Sequence, residues 1–205
     1  MRMFFHSLPR LGLLVGVLAA VTWPAAARAQ QAFASWELNV HAGTLIPDDD
    51  LLGEDEDAEF LLGGRIARDV GSGFAIGGNF DWIPATDVEF PSAFETDVNT
   101  FLYSGDVSYT FPTGASPLRV FVLVGAGAGT VSYDDQPPGL NDDSTTGFLL
   151  PFGGGVKWLG ERFGFRAEVR DNLLFLDAED VPFLTGNDTE SLNNVELSGG
   201  VSFLF

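Results

Sequence analysis

Hydrophobic positions in this chain recur at every second residue rather than every third or fourth. Over residues 194–205, Val195, Leu197, Gly199, Val201, Phe203 and Phe205 lie on one side, and Asn194, Glu196, Ser198, Gly200, Ser202 and Leu204 on the other. Residues 147–158 repeat the pattern, with Phe148, Leu150, Phe152, Val156 and Trp158 opposed to Gly147, Leu149, Pro151, Gly153, Gly155 and Lys157. This period predicts eight strands, over residues 34–45, 59–69, 73–84, 98–111, 118–132, 145–158, 162–174 and 192–205. Each is about ten residues or longer, the length a tilted strand needs to cross hydrocarbon.

The connections come in two alternating kinds. Strands two and three, four and five, and six and seven are joined by DVGSG, PTGASP and LGE, short and rich in turn residues. The other four links are long and acidic: PDDDLLGEDEDA, ATDVEFPSAFETD, DDQPPGLNDDS and DAEDVPFLTGNDTES. An all-β, antiparallel, up-and-down barrel with tight turns on one rim and loops on the other gives this order, and an even strand count suits it.

Volume decides which face meets which solvent. One face carries Trp36, Leu38 and Val40, then Phe60, Leu62 and Ile66, then Phe74, Ile76, Phe80 and Trp82, with comparable sets on later strands. An eight-stranded barrel is only wide enough to be filled by side chains, so these bulky groups belong outside, in lipid. The opposite face offers an interior polar network of Glu37, His41, Glu59, Arg65, Asp81, Asp106, Lys157, Arg166, Glu168, Arg170 and Glu196, with Asn39 and Asn79. Both charge signs are present, as a closed interior requires. The fifth segment, LRVFVLVGAGAGTVSY, is apolar on both faces and leaves its orientation open. Trp36, Phe111, Trp158, Phe163, Phe203 and Phe205 fall toward the short-turn rim, and Trp82, Phe101 and Phe148 toward the long-loop rim, as interfacial girdles would.

Residues 1–30 read as a secretory signal peptide, cleaved near Ala29. Arg2 and Arg10 precede the apolar run 11–21, too short to span a bilayer, and Ala27-Arg28-Ala29 supplies the small-residue exit. Residues 31–205 then form the barrel domain. They hold seven basic residues (Arg65, Arg68, Arg119, Lys157, Arg162, Arg166, Arg170) against 29 acidic ones, a net −22, which disfavours nucleic acid as a partner. The chain has no cysteine, which excludes disulfides, thiolate nucleophiles and thiolate metal sites.

The leader, the eight alternating segments, the three tight turns and the four long loops resemble the OmpA/OmpX-type small outer-membrane β-barrels of Gram-negative bacteria. The most specific likeness is terminal: Ser198-x-Gly200-x-x-Phe203-x-Phe205 is similar to the polar-x-Gly-x-x-aromatic-x-aromatic signal by which the barrel-assembly machinery recognises the last strand. The resemblance implies a monomer in the outer membrane, among its lipids and lipopolysaccharide, with loops outside and both ends in the periplasm. It implies a non-enzymatic structural or surface-interaction role, with a small porin-like channel for small or hydrophobic solutes as the alternative and a lipid-modifying enzyme third.

Little else in the sequence points to chemistry. Counting from Asp48, the first loop sets Asp50 at position three, Gly53 at six, Glu56 at nine and Glu59 at twelve of an EF-hand-like spacing, with Glu54 between. Leu52 at position five and flanking strands in place of helices argue against that motif, so the loop reads as a solvated acidic segment able to attract calcium or magnesium, and no cofactor is expected. His41, the only histidine after the leader, points inward with Glu59 set across from it, and the following Ala42 and Gly43 supply no nucleophile. Arg166, Glu168 and Arg170 form a ladder on one face of strand seven, readable as a pore gate or as a satisfied interior network.

If Phe205 sits at the membrane interface as the last outward aromatic, Phe205→Asp should lower membrane yield more than Leu204→Asp, whose site faces the other way. Equal yields in outer-membrane fractions would remove the terminal assignment.

Overall fold

The computed structural model describes residues 36–46, 58–89, 95–114, 116–133, 144–177 and 189–205. Residues 1–30, expected above to be a signal peptide, lie outside the described residues, as do Asp48, Asp50, Glu54 and Glu56 and most of the long connections. The strands are β1 (Trp36–Ile46), β2 (Glu59–Gly71), β3 (Phe74–Glu89), β4 (Glu95–Thr110), β5 (Leu118–Tyr133), β6 (Ser144–Leu159), β7 (Phe163–Asp177) and β8 (Thr189–Leu204). Each pairs antiparallel with its sequence neighbours, and β8 returns to β1, closing the ring. At the seam Trp36 N donates to Phe205 O at 2.9 Å and Phe205 N donates to Trp36 O at 3.1 Å.

Register sets the barrel's shape. Paired residues followed around the ring run Trp36, Arg68, Ile76, Val107, Val124, Phe152, Asp171 and Val195, and return to β1 at Ile46, ten residues beyond the start. With a rise of about 3.3 Å per residue and strands about 4.7 Å apart, that stagger gives a tilt of about 40° and a backbone radius of about 8 Å. Side chains meeting across that width fill it.

At the short-turn rim, β2 and β3 are joined through Ser72 and Gly73, whose φ angles of 56° and 86° suit a two-residue hairpin that follows the strand twist. Gly71, at φ 96°, takes the bulge that precedes it, and its amide donates to Asp69 Oδ1 at 2.7 Å. Several strands run further toward the other rim than the sequence predicts: β3 to Glu89, β4 from Glu95, β7 to Asp177 and β8 from Thr189. Backbone pairing continues there past the stretch where apolar residues alternate, and the alternation was the only signal a sequence carries.

The apolar face points outward. Phe60, Ile66, Ile76, Phe80, Val107 and Phe165 are each about half exposed. Aromatic rings line the short-turn rim, where Phe163 and Phe203 meet edge-on at 5.2 Å, Tyr109 and Phe111 at 5.0 Å, and the Arg68 guanidinium lies 5.5 Å from the Trp36 ring centre. Strand β5 resolves its ambiguity by turning Phe121 and Leu123 inward and Val120 and Val124 outward.

The interior departs from the sequence reading in one respect: it is not polar throughout. Leu45, Leu61, Ile83, Leu102, Leu149, Leu174 and Leu176 form a buried apolar cluster inside the ring, with Leu192 packed against it. Leu45, Leu61, Ile83, Leu102 and Leu174 each lie two or four residues nearer the long-loop rim than His41, Arg65, Asp81, Asp106 or Asn172 on the same strand. The lumen is thus divided into a polar column toward the short-turn rim and a leucine layer capping it. A period-two pattern separates two faces but does not forbid apolar residues on both.

Adjacent leucines test this division. Leu61, 0% exposed, faces the layer, and Leu62, 41% exposed, faces lipid. Leu61→Ala leaves a cavity that should cost about 2–5 kcal/mol; Leu62→Ala should cost about 1–2 kcal/mol, because lipid chains close over the gap. Urea titration of folding into lipid vesicles measures both, and equal losses would contradict the layer.

Candidate functional site

The polar column holds the densest chemistry among the described residues, and alternation explains how it is built: inward positions on seven of the strands supply it. Nearest the short-turn rim, Lys157 Nζ on β6 lies 3.4 Å from Glu37 Oε2 on β1. Ser202 Oγ on β8 donates to Glu37 Oε1 at 2.8 Å, and Asn39 Nδ2 donates to Ser202 Oγ at 3.0 Å. His41 follows, its Nδ1 3.1 Å from Asn39 Oδ1 and its Nε2 2.6 Å from Asp81 Oδ1 on β3.

Two arginine systems complete the column. Arg65 on β2 grips Asp106 on β4 with Nε and Nη2, at 3.0 and 2.5 Å, a forked pair that a lysine could not reproduce. On β7, Glu168 accepts from Arg166 Nε at 2.7 Å on one side and from Arg170 Nε and Nη2 at 2.9 and 2.6 Å on the other. Arg170 Nη1 then reaches across to Asp81 Oδ2 at 3.1 Å and lies 3.4 Å from Glu196 Oε2 on β8. Asn172 Nδ2 donates to the same Glu196 oxygen at 3.1 Å, and Asn79 donates to Asp81. The Arg166 guanidinium carbon stands 3.7 Å from the centre of the Phe121 ring, a cation–π contact, and its Nη2 lies 2.6 Å from Glu168 Oε2.

These groups are dry. Asn39, Asp81, Glu196 and Ser202 are at most 1% exposed, and the space enclosed by Asn39, His41, Arg65, Asn79, Arg166 and Glu168 is too small for a water molecule. In such surroundings a charge deprived of its partner costs about 3–5 kcal/mol, so each pair is held by the penalty for breaking it. Glycines make the room: a Cβ at Gly63 would strike the His41 ring and the Asp81 carboxylate, and one at Gly200 would strike Val40 O and His41.

The geometry corrects one pairing and adds several residues. Glu59 does not lie across from His41; it pairs with Leu45 at the level of the leucine layer, and His41 pairs in register with Gly63. The carboxylate at His41 is Asp81, one strand further on, reached over the missing side chain of Gly63. Ser108, Asn172, Ser202 and Phe121 join the column beyond the residues chosen from sequence. Asn172 follows Arg166, Glu168 and Arg170 at the next inward position, so strand parity alone would have found it.

Chemically the charged side chains of the column are engaged with one another, although Arg166 Nη1 and Nη2 and Glu196 Oε1 make no hydrogen bond. The ring nitrogens of His41 meet Asn39 and Asp81 rather than a hydroxyl, and Ser202 is reached only through Asn39. His41, Asp81 and Glu196 bring donor atoms within 4.8 Å of one another, but the Arg170 guanidinium already stands against both carboxylates as their cation. Ser198 and Gly200 of the terminal pattern face inward, and Phe203 and Phe205 face outward at 42% and 62% exposure.

The family model of the outer membrane protein beta-barrel domain matches residues 13–205. The chain belongs to that family. It is therefore an outer-membrane protein. The crystal structure of Neisserial surface protein A superposes on this barrel with a TM-score of 0.62 at 17% identity, covering 85% of this chain and 100% of that one. The solution structure of Escherichia coli outer membrane protein W gives 0.54 at 14% identity, covering 86% and 100%. At such identities the likeness is one of fold. No curated protein matches the chain in sequence.

Within this outer-membrane barrel, neighbouring glycines should respond oppositely to a methyl group. Gly63→Ala drives Cβ into His41 and Asp81 and should cost about 1–3 kcal/mol, whereas Gly64→Ala meets only Asn39 O at 3.7 Å and should be near neutral. Urea unfolding from vesicles distinguishes them, and a harmless Gly63→Ala would contradict the packing of the His41–Asp81 pair.

Proposed function

We propose that this protein acts non-enzymatically, as a structural or surface-interaction barrel whose four long loops carry its role outside the outer membrane. The observation that supports this reading is the filled interior. Between the Lys157–Glu37 pair and the leucine layer, the space enclosed by Asn39, His41, Arg65, Asn79, Arg166 and Glu168 is too small for a water molecule. A pore needs a lumen, and an enzyme needs a group free to react; here each acid and base is engaged with another side chain of the wall.

With the inside closed, the surface remains. All seven basic residues after the leader sit in the column or near the short-turn rim, so the long connections carry carboxylates with no basic residue among them. A loop end of that sign suits divalent cations, calcium or magnesium, bridging to lipopolysaccharide phosphates, or a cationic partner. The terminal residues Ser198, Gly200, Phe203 and Phe205 serve, in the same proposal, as the recognition signal for the barrel-assembly machinery.

Planar bilayers test the central point. Purified protein should insert without discrete conductance steps in concentrated potassium chloride. Reproducible steps would overturn the closed-barrel reading in favour of a small channel.

A further inference from the structure

The hydrogen bonds of the column have a direction, and it can be traced from one end. Glu37 is a carboxylate facing Lys157, so it only accepts, and Ser202 must spend its single proton on Glu37 Oε1. Ser202 Oγ then accepts from Asn39 Nδ2, which turns Asn39 Oδ1 toward His41 Nδ1. The opposite amide orientation would aim Asn39 Oδ1 and Glu37 Oε1 at one hydroxyl hydrogen. His41 Nδ1 therefore donates. On the other side of the ring, Nε2 lies 2.6 Å from Asp81 Oδ1, and Asp81 is itself an acceptor for Asn79 and Arg170. His41 Nε2 therefore donates as well.

Charge counting leads to the same place by a separate route. The buried column contains five carboxylates, Glu37, Asp81, Asp106, Glu168 and Glu196, and four permanent cations, Arg65, Lys157, Arg166 and Arg170. Lys157 is engaged with Glu37, Arg65 with Asp106 and Arg166 with Glu168. That leaves Arg170, which also binds Glu168, as the one cation facing both Asp81 and Glu196. The one missing positive charge is missing beside His41. Among the described residues no ionisable group outside that count closes the gap: β2 presents Gly63 and Arg65 to the ring, β3 Asn79 and Asp81, β7 Arg166, Glu168 and Arg170, β8 Ser198, Gly200 and Glu196, and β1 Glu37 and Asn39. An uncompensated charge in a dry interior is costly.

We propose that His41 is buried as an imidazolium, its Nδ1–H donating to Asn39 Oδ1 and its Nε2–H to Asp81 Oδ1, and that it is the fifth cation of an electroneutral column. The protonated ring ties β1 directly to β3 and, through Asn39 and Ser202, to β8. A neutral ring would make only one of the two donations and would leave the column with an excess negative charge at Asp81.

Nitrogen NMR on the full chain tests this directly. The protein is labelled with 15N-histidine and folded in detergent micelles at about pH 7.5, where a histidine of ordinary pKa, about 6.5, is mostly neutral. His41 is the only histidine within residues 31–205, so the ring signals of the barrel are its own. The expected spectrum shows both His41 ring nitrogens close together in the imidazolium range, each with a directly bonded, slowly exchanging proton. One protonated nitrogen and one bare nitrogen at His41 would overturn the proposal and assign the balancing proton to Glu196, whose Oε1 has no partner. In Asp81→Asn the column loses one negative charge, and the ring should revert to a single proton. A folded Asp81→Asn barrel that keeps both would overturn the charge-balance argument, and if that variant does not fold the wild-type spectrum alone decides.

Discussion

Hydrocarbon offers no hydrogen bond, so every amide that this chain places in the membrane must find its partner on another strand. The seam between Trp36 and Phe205 is the consequence on which everything else rests, because without it two edges would face lipid with their donors and acceptors unmet. Closing eight strands at a stagger of ten residues then fixes the width, and the width fixes the contents. The inside is narrow enough that side chains from opposite walls touch, which is why Glu37 of β1 reaches Lys157 of β6 and Asp81 of β3 reaches Arg170 of β7.

Two ways of filling that width are used in one lumen. Leucines near the long-loop rim fill it by shape and keep water from the groups beneath them, which strengthens every electrostatic contact in the column. Below them, paired charges fill it by complementarity. The two zones depend on each other: ion pairs open to water would be worth little, and a wholly apolar lumen would lack the directional contacts that fix which strands face each other across the ring.

Much of the fold was legible because lipid on one side and a tight interior on the other write a period of two into each strand. Predicted and observed strands begin or end within two or three residues of each other at the short-turn rim, as with 34–45 against Trp36–Ile46 and 162 against Phe163. Legibility failed where that physical cause was absent. Toward the long loops the ladder continues past the alternating stretch, so the ends of β3, β4, β7 and β8 carry no such signal. Strand β5 has apolar residues on both sides because Phe121 packs under Arg166 inside while Val120 and Val124 meet lipid outside. The inward set was readable by parity, but its pairing was not. That His41 meets Asp81 rather than Glu59 follows from register and from the empty site at Gly63, neither of which a single strand reveals.

The pairs inside the barrel also bear on the order of its assembly. His41 with Asp81 skips one strand, Arg65 with Asp106 skips one, Asp81 with Arg170 spans from β3 to β7, and Glu37 with Lys157 spans from β1 to β6. None of these belongs to a hairpin. A growing sheet that has not yet curled shut holds its backbone bonds but not these contacts, and its charges remain wet and unmatched. The column thus favours the completed ring over any open intermediate, and it acts as a chemical check that all eight strands have arrived in the right register before the lumen dries.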